Sequence, residues 1–158
     1  MAKENEEIYV PKNKNPIIIS GGGVFYSDAI DELGNFAVRH NIPVTQTVMG
    51  YPTMKKDHSH FLGPIGGLGG KAANNLAKQT DLAIAIGTKL GDFTTGSWAN
   101  FENPNFGLIS MNITRHDANK HLAQAVIGDA KISIEELSQT LGDWKAPEDW
   151  YKKSRDEL

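Results

Sequence analysis

The chain reads as a three-layer α/β/α domain, with helices on both faces of a mainly parallel sheet. Three observations lead there. Apolar runs and helix-patterned segments alternate along the chain. The two clearest strand segments, Pro16-Ile-Ile-Ile-Ser20 and Asp81-Leu-Ala-Ile-Ala-Ile86, are continuously apolar, which suits strands covered on both faces rather than half-exposed ones. Both run straight into glycine, at Gly21 and at Gly87.

Taken in order, residues 1–14 are polar, charged and aperiodic, and read as a linker or expression-derived tail. After the first strand and the Gly21-Gly-Gly23 turn, Ser27 is placed to cap a helix. Ala29, Ile30, Leu33, Phe36 and Ala37 fall on one face of that helix, and Asp28, Asp31 and Glu32 lie near its positive end. Pro43-Val-Thr-Gln-Thr-Val48 is the next strand, and a polar connection over 50–60 leads to a short strand at Phe61-Leu62. Residues 71–78 have helical composition, and 81–86 is a buried strand. A long loop over 89–104 precedes the strand Gly107-Leu-Ile-Ser-Met-Asn-Ile113. A helical turn over 116–122 and a last strand, Ala125-Val-Ile127, follow. Asp129 is a natural cap for a final helix carrying Ala130, Ile134, Leu137 and Leu141, which Gly142 ends. Residues 143–158 look too polar for core and read as a C-terminal linker, with tryptophans set to pack on something else.

Composition narrows the function. At 158 residues, 39% hydrophobic and 22% charged, the chain has room for one ordinary globular domain. A formal net charge of −3, with no basic cluster, argues against a nucleic-acid partner. The absence of cysteine removes disulfides, thiolate nucleophiles and zinc knuckles. No apolar run is long enough to span a bilayer and no leader-like segment opens the chain, so a cytoplasmic location is expected. His58-Ser-His60 offers two imidazoles without a third ligand, which is short of a metal site. Asp117 and His121, four apart, read as a surface pair.

The stretch Phe61-Leu-Gly-Pro-Ile-Gly-Gly-Leu-Gly-Gly-Lys-Ala-Ala-Asn-Asn75 is the one most suggestive of a ligand, with five glycines in fifteen residues ahead of a helix. Glycine-rich turns that open a helix can aim backbone N–H groups at a phosphate. The same glycines can equally let the loop pack tightly against a neighbouring element. A P-loop is excluded, because position 65 is isoleucine and position 72 alanine. Gly67-Leu-Gly-Gly-Lys-Ala72 fits the G-x-G-x-x-A form of the dinucleotide fingerprint, but it lies mid-chain rather than after the first strand.

Four motifs in this order, Pro16-Ile-Ile-Ile-Ser-Gly-Gly-Gly23, Leu62-Gly-Pro-Ile-Gly-Gly-Leu-Gly-Gly-Lys-Ala-Ala-Asn74, Asp81-Leu-Ala-Ile-Ala-Ile-Gly-Thr88 and Val126-Ile-Gly-Asp-Ala130, resemble the central domain of thiamine-diphosphate-dependent enzymes. The resemblance covers residues 15–142. Within the family, Leu90-Gly-Asp-Phe-Thr-Thr-Gly-Ser-Trp98, Phe101-Glu-Asn-Pro104, Asn112 and Asp117-Ala-Asn-Lys-His121 are similar to the trihydroxycyclohexane-dione hydrolase subgroup of myo-inositol breakdown.

The resemblance implies a Rossmann-like, six-stranded parallel sheet in the order 3-2-1-4-5-6. It implies a non-catalytic domain that positions flanking catalytic domains of a homo-oligomeric parent. In that family thiamine diphosphate and Mg2+ sit between the other domains, on a glutamate and a Gly-Asp-Gly motif. Gly-Asp-Gly occurs nowhere here, so no cofactor and no catalytic or metal-binding residue is expected in this chain. Some relatives bind FAD or ADP in the equivalent domain. The strand ending His-Ile-Asp-Ile-Asp in acetohydroxyacid synthases reads Ser110-Met-Asn-Ile-Thr114 here, without either acidic residue, which argues against FAD. A crevice is expected at the carboxyl ends of the two central strands, lined by Gly22, Gly23, Gly66, Gly69 and Thr88, with Asp129 also compatible with a nucleotide. Two other readings compete: an FAD-retaining central domain of an acetohydroxyacid-synthase-like carboligase, and a free-standing nucleotide-binding module.

Overall fold

The computed structural model describes residues 15–158; the tail expected over 1–14 lies outside the described residues. Six strands form one sheet: β1 (Pro16–Ser20), β2 (Val44–Gln46), β3 (Phe61–Pro64), β4 (Leu82–Ile86), β5 (Gly107–Asn112) and β6 (Gln124–Ile127). Their order is β3-β2-β1-β4-β5-β6, every neighbouring pair parallel. This is the six-stranded order that the family resemblance implies. The centre is in register at Ile18, which sits opposite Val44 on one side and Ile84 on the other.

The period-two alternation of strand side chains divides the core in two. Ile18, Ile84, Ile86, Ile109 and Met111 meet α2 (Ile30–His40) and α6 (Ala130–Leu141) on one face. Ile17, Ile19, Ala83, Ala85 and Leu108 meet α3 (Lys71–Gln79) on the other. Two small residues on that side of β4 leave room for the Ala73, Leu76 and Ala77 stripe of α3. Ile17, Ile18 and Ile19 are fully buried, each contributing roughly 1.5–3 kcal/mol of apolar transfer.

Three local expectations are corrected. Ser27 does not cap α2. The glycine turn instead winds into a five-residue helix, α1 (Gly22–Tyr26), which Ser27 closes with its N–H on the Gly23 carbonyl, 3.0 Å away. Helix α2 then begins after Ala29 with no side-chain cap. The loop over 89–104 contains a further short helix, α4 (Asp92–Thr95), and α5 (Arg115–Ala118) precedes β6.

The third correction concerns residues 143–158, expected to be a polar linker. Residues 148–156 form helix α7 (Glu148–Asp156), and Trp150 and Ala146 are buried against the domain. The Trp150 indole N–H donates to the Pro16 carbonyl at 2.8 Å, where β1 begins. A polar helix with one large buried side chain has little apolar periodicity to read. The link to α2 is also tight. His40 is fully buried, and its Nδ1–H donates to the Trp144 carbonyl at 2.7 Å while Nε2 accepts from Ser138 Oγ at 2.9 Å.

Candidate functional site

In an open parallel sheet the crevice lies at the carboxyl ends of the strands where their order reverses. Here that point is between β1 and β4, and two glycine turns meet across it. The Gly21 N–H donates to the Ile86 carbonyl at 2.8 Å, and the Gly23 N–H to the Gly87 carbonyl at 3.0 Å. A Cβ on Gly23 would lie 2.6 Å from Gly87 Cα, far inside van der Waals contact. Bare backbone is therefore required on both sides. The ridge so formed separates two hollows.

The first hollow, about 390 Å³, is lined by Gly23, Tyr26, Asn112, Thr114 and Asp129 among others. Its polar groups serve the fold. Asp129 Oδ1 accepts from the N–H groups of Lys131 at 2.9 Å and Ile132 at 3.3 Å, as the expected cap of α6. A hydrogen bond from Ser27, helped by those two N–H groups, holds its carboxyl below the usual range. Asn112 Oδ1 accepts from the Thr114 N–H and hydroxyl, both at 3.0 Å, and its Nδ2 donates to the Thr88 carbonyl at 3.3 Å. The second hollow, about 380 Å³, is lined by Gly22, Gly23, Tyr26, Met49, Thr88 and Phe93 among others.

Gly22, Gly23, Thr88 and Asp129 thus reach the crevice. Gly66 and Gly69 line neither hollow, and the N–H groups of the loop's glycines from 66 on are spent within the fold. The Gly66 N–H donates to Asn74 Oδ1 at 2.9 Å, and Asn74 Nδ2 returns a bond to the Gly66 carbonyl at 3.0 Å. The N–H groups of Gly67, Gly69 and Gly70 donate to the carbonyls of Phe93, Gly66 and Pro64 at 2.8–2.9 Å. Gly66 holds φ +100° with Phe93 and Thr94 of α4 pressed onto it. Close packing is the reason for Gly66 and Gly69, where a Cβ would fall within 2.9 Å of backbone atoms; at Gly70 it would meet nothing. The residues missed from sequence are Tyr26, Met49 and Phe93, which only the topology brings to one rim; Asn74, which closes the loop, sat inside the motif itself.

The other candidates are structural too. His60 is buried and stacked on Tyr151 with ring centroids 4.5 Å apart. Its Nε2–H donates to Asn41 Oδ1 at 3.3 Å, and Nδ1 accepts from Ser59 Oγ at 2.9 Å. Burial, reinforced by nearby His58 and Arg155, pushes its pKa down to about 4. Asp117 pairs with Lys120 at 2.6 Å, and the His121 ring lies against Trp98.

Residues 9–137 match the family described as thiamine pyrophosphate enzyme, central domain. The chain belongs to that family. Among curated relatives, 3D-(3,5/4)-trihydroxycyclohexane-1,2-dione hydrolase of Clostridium perfringens strain 13 is 46% identical over 132 residues, covering 84% of this chain and 21% of that protein. The enzyme of the same name from Clostridium botulinum strain Eklund 17B is 42% identical over 141 residues, covering 86% and 22%. That from Geobacillus thermodenitrificans is 39% identical over 135 residues, covering 85% and 21%. The chain thus spans about a fifth of the length of these relatives.

The residues present do not fit a magnesium diphosphate site. Such a site needs several free oxygen ligands and phosphate-facing donors. Among the described residues no group of three or more His, Asp or Glu side chains is placed to hold a metal. The one carboxylate at the crevice caps a helix, and the N–H groups of Gly66, Gly67, Gly69 and Gly70 are engaged within the fold. No chemical step is therefore assigned to this central domain. Among the described residues no helix is long and apolar enough to cross a membrane.

Proposed function

We propose that this chain is the non-catalytic central domain of a longer thiamine-diphosphate-dependent hydrolase that opens the ring of trihydroxycyclohexane-dione in myo-inositol breakdown. The observation that carries the reading is the 46% identity to an enzyme of that name over 84% of the chain but only 21% of the enzyme. When bound in the parent, thiamine diphosphate supplies the carbanion chemistry of C–C cleavage, with Mg2+ holding its diphosphate. The central domain contributes a rigid two-sided core and a packing surface. The parent is expected to be a cytoplasmic homo-oligomer whose flanking domains are the partners of this one.

Two measurements test this. The full-length protein encoded by the gene should hydrolyse the cyclic diketone only with thiamine diphosphate and Mg2+ present. The 158-residue chain alone should show no turnover and no magnesium-dependent affinity for thiamine diphosphate in the micromolar range. An open reading frame no longer than this chain, or turnover by the chain itself, would overturn the reading.

A further inference from the structure

The carboxyl edge of the sheet is unusually apolar. Phe25 and Tyr26 beyond β1, Met49 beyond β2, Leu68 beyond β3, Phe93 beyond β4 and Ile113 beyond β5 are all at least half exposed, Tyr26 at 85% and Met49 at 77%. Every strand from β1 to β5 contributes to this rim. The segments 21–26, 47–53 and 63–70 hold no charged residue at all, in a chain that is 22% charged. Exposed aromatic and methionine side chains depleted of Lys, Asp and Glu are the composition of a protein interface centre. The two hollows on either side of the Gly23–Gly87 ridge give the rim concave seats, the form that anchoring side chains require.

We propose that this edge is the surface onto which the rest of the parent enzyme's own polypeptide docks, seating apolar side chains in the two hollows. The proposal rests on reading the chain as one domain of a longer hydrolase. Its occupant follows from length: the chain spans only 21–22% of each relative described above, so most of such a protein lies outside this fold. Neighbouring domains of one chain meet at high effective concentration and bury interfaces of roughly 600–1,500 Å². A free ligand fits less well, because Asp129, Asn112, Ser27 and Thr114, four of the polar side chains at the first hollow, are already bonded within the fold. The second hollow is walled mainly by glycines, threonines, Tyr26, Val48, Met49 and Phe93, with Lys89 its one charged lining residue.

Hydroxyl-radical footprinting, which labels Met, Phe and Tyr by accessibility, tests this on the 158-residue chain and on the full-length protein. In the chain alone, Phe25, Tyr26, Met49 and Phe93 should label strongly. In the full-length protein their labelling should fall to the level of buried Phe36 and Met54. Met49→Lys should leave the melting temperature of the chain alone unchanged and restore labelling of Tyr26 and Phe93 in the full-length protein. Equal labelling in the two proteins would overturn the proposal. So would protection that appears in the chain alone as its concentration rises, which would mark a self-association face, or on addition of FAD or ADP, which would mark a ligand site. Protection in a full-length protein that leaves the cyclic diketone intact would sink the substrate assignment and support the docking surface. Hydrolysis without protection would do the reverse.

Discussion

Replacing Gly23 by alanine tests the ridge at the heart of the fold. The new Cβ would stand 2.6 Å from Gly87 Cα and 3.1 Å from the Gly87 carbonyl oxygen, all backbone atoms with no side chain to swing away. Reaching ordinary contact at 3.4 Å needs about 0.8 Å of separation between the ends of β1 and β4, which the 3.0 Å bond from Gly23 to Gly87 resists. Overpacking of this kind costs about 1–3 kcal/mol, and rigid backbone on both sides points to the upper end. Alanine's helical preference offsets up to about 1 kcal/mol, since Gly23 lies in α1. The net loss is about 2 kcal/mol, or a melting temperature lower by about 4–8 °C for a domain of this size. The matched control is Gly34→Ala, also inside a helix, where the added Cβ meets only the half-exposed His58 ring, 3.3 Å away. There alanine should raise the melting temperature by about 1–3 °C. Thermal unfolding followed by circular dichroism reads both. A Gly23→Ala protein as stable as the parent sequence would refute the close crossing of the two turns.

Other consequences follow from the same structure. Trp150→Ala removes a buried indole and leaves the Pro16 carbonyl without its donor, so denaturant titration should show a loss of about 3–5 kcal/mol. A chain ending at residue 142 should lose at least as much, whereas an unchanged midpoint would restore the linker reading. His60 binds protons less readily when folded, its pKa lowered from 6.5 to about 4; the unfolded chain is therefore protonated first as pH falls. Stability should drop between about pH 6.5 and pH 4 by roughly 2–3 kcal/mol, and His60→Gln should flatten that part of the profile relative to the parent sequence. Asp129→Ala should cost about 1 kcal/mol through the lost cap of α6, with Asp129→Asn retaining most of it, as measured by urea midpoints.

What could be read from sequence was the apolar skeleton. The continuous runs at 16–20 and 81–86 suited strands covered on both sides, and they proved to be neighbours at the centre of the sheet. Sheet order came from the ordered set of motifs rather than from any one segment, because pairing between residues such as Pro16 and Leu82 leaves no local trace. Glycine content was legible, but its purpose was not. In sequence a loop that offers its N–H groups outward looks the same as one whose N–H groups bond Asn74, Phe93 and Pro64. The apolar rim was invisible for a related reason. Tyr26, Met49 and Phe93 come from three separate connections and meet only because parallel strands deliver their ends to one edge. Helix α7 escaped because its composition is that of a solvated segment, and one tryptophan holds it in place.

The Trp150 bond to Pro16 also orders the domain's assembly in time. The two residues are 134 apart in the chain, and a ribosome adding roughly 5–20 residues per second needs about 7–27 s to make the second after the first. Once residues up to 86 have been made, Ile17 and Ile19 can gain their β4 partners and the cover of α3, but the tryptophan that completes their cluster is still missing. One face of the sheet thus stays incompletely covered until translation of this stretch is nearly over, a window in which a chaperone would find apolar surface to hold.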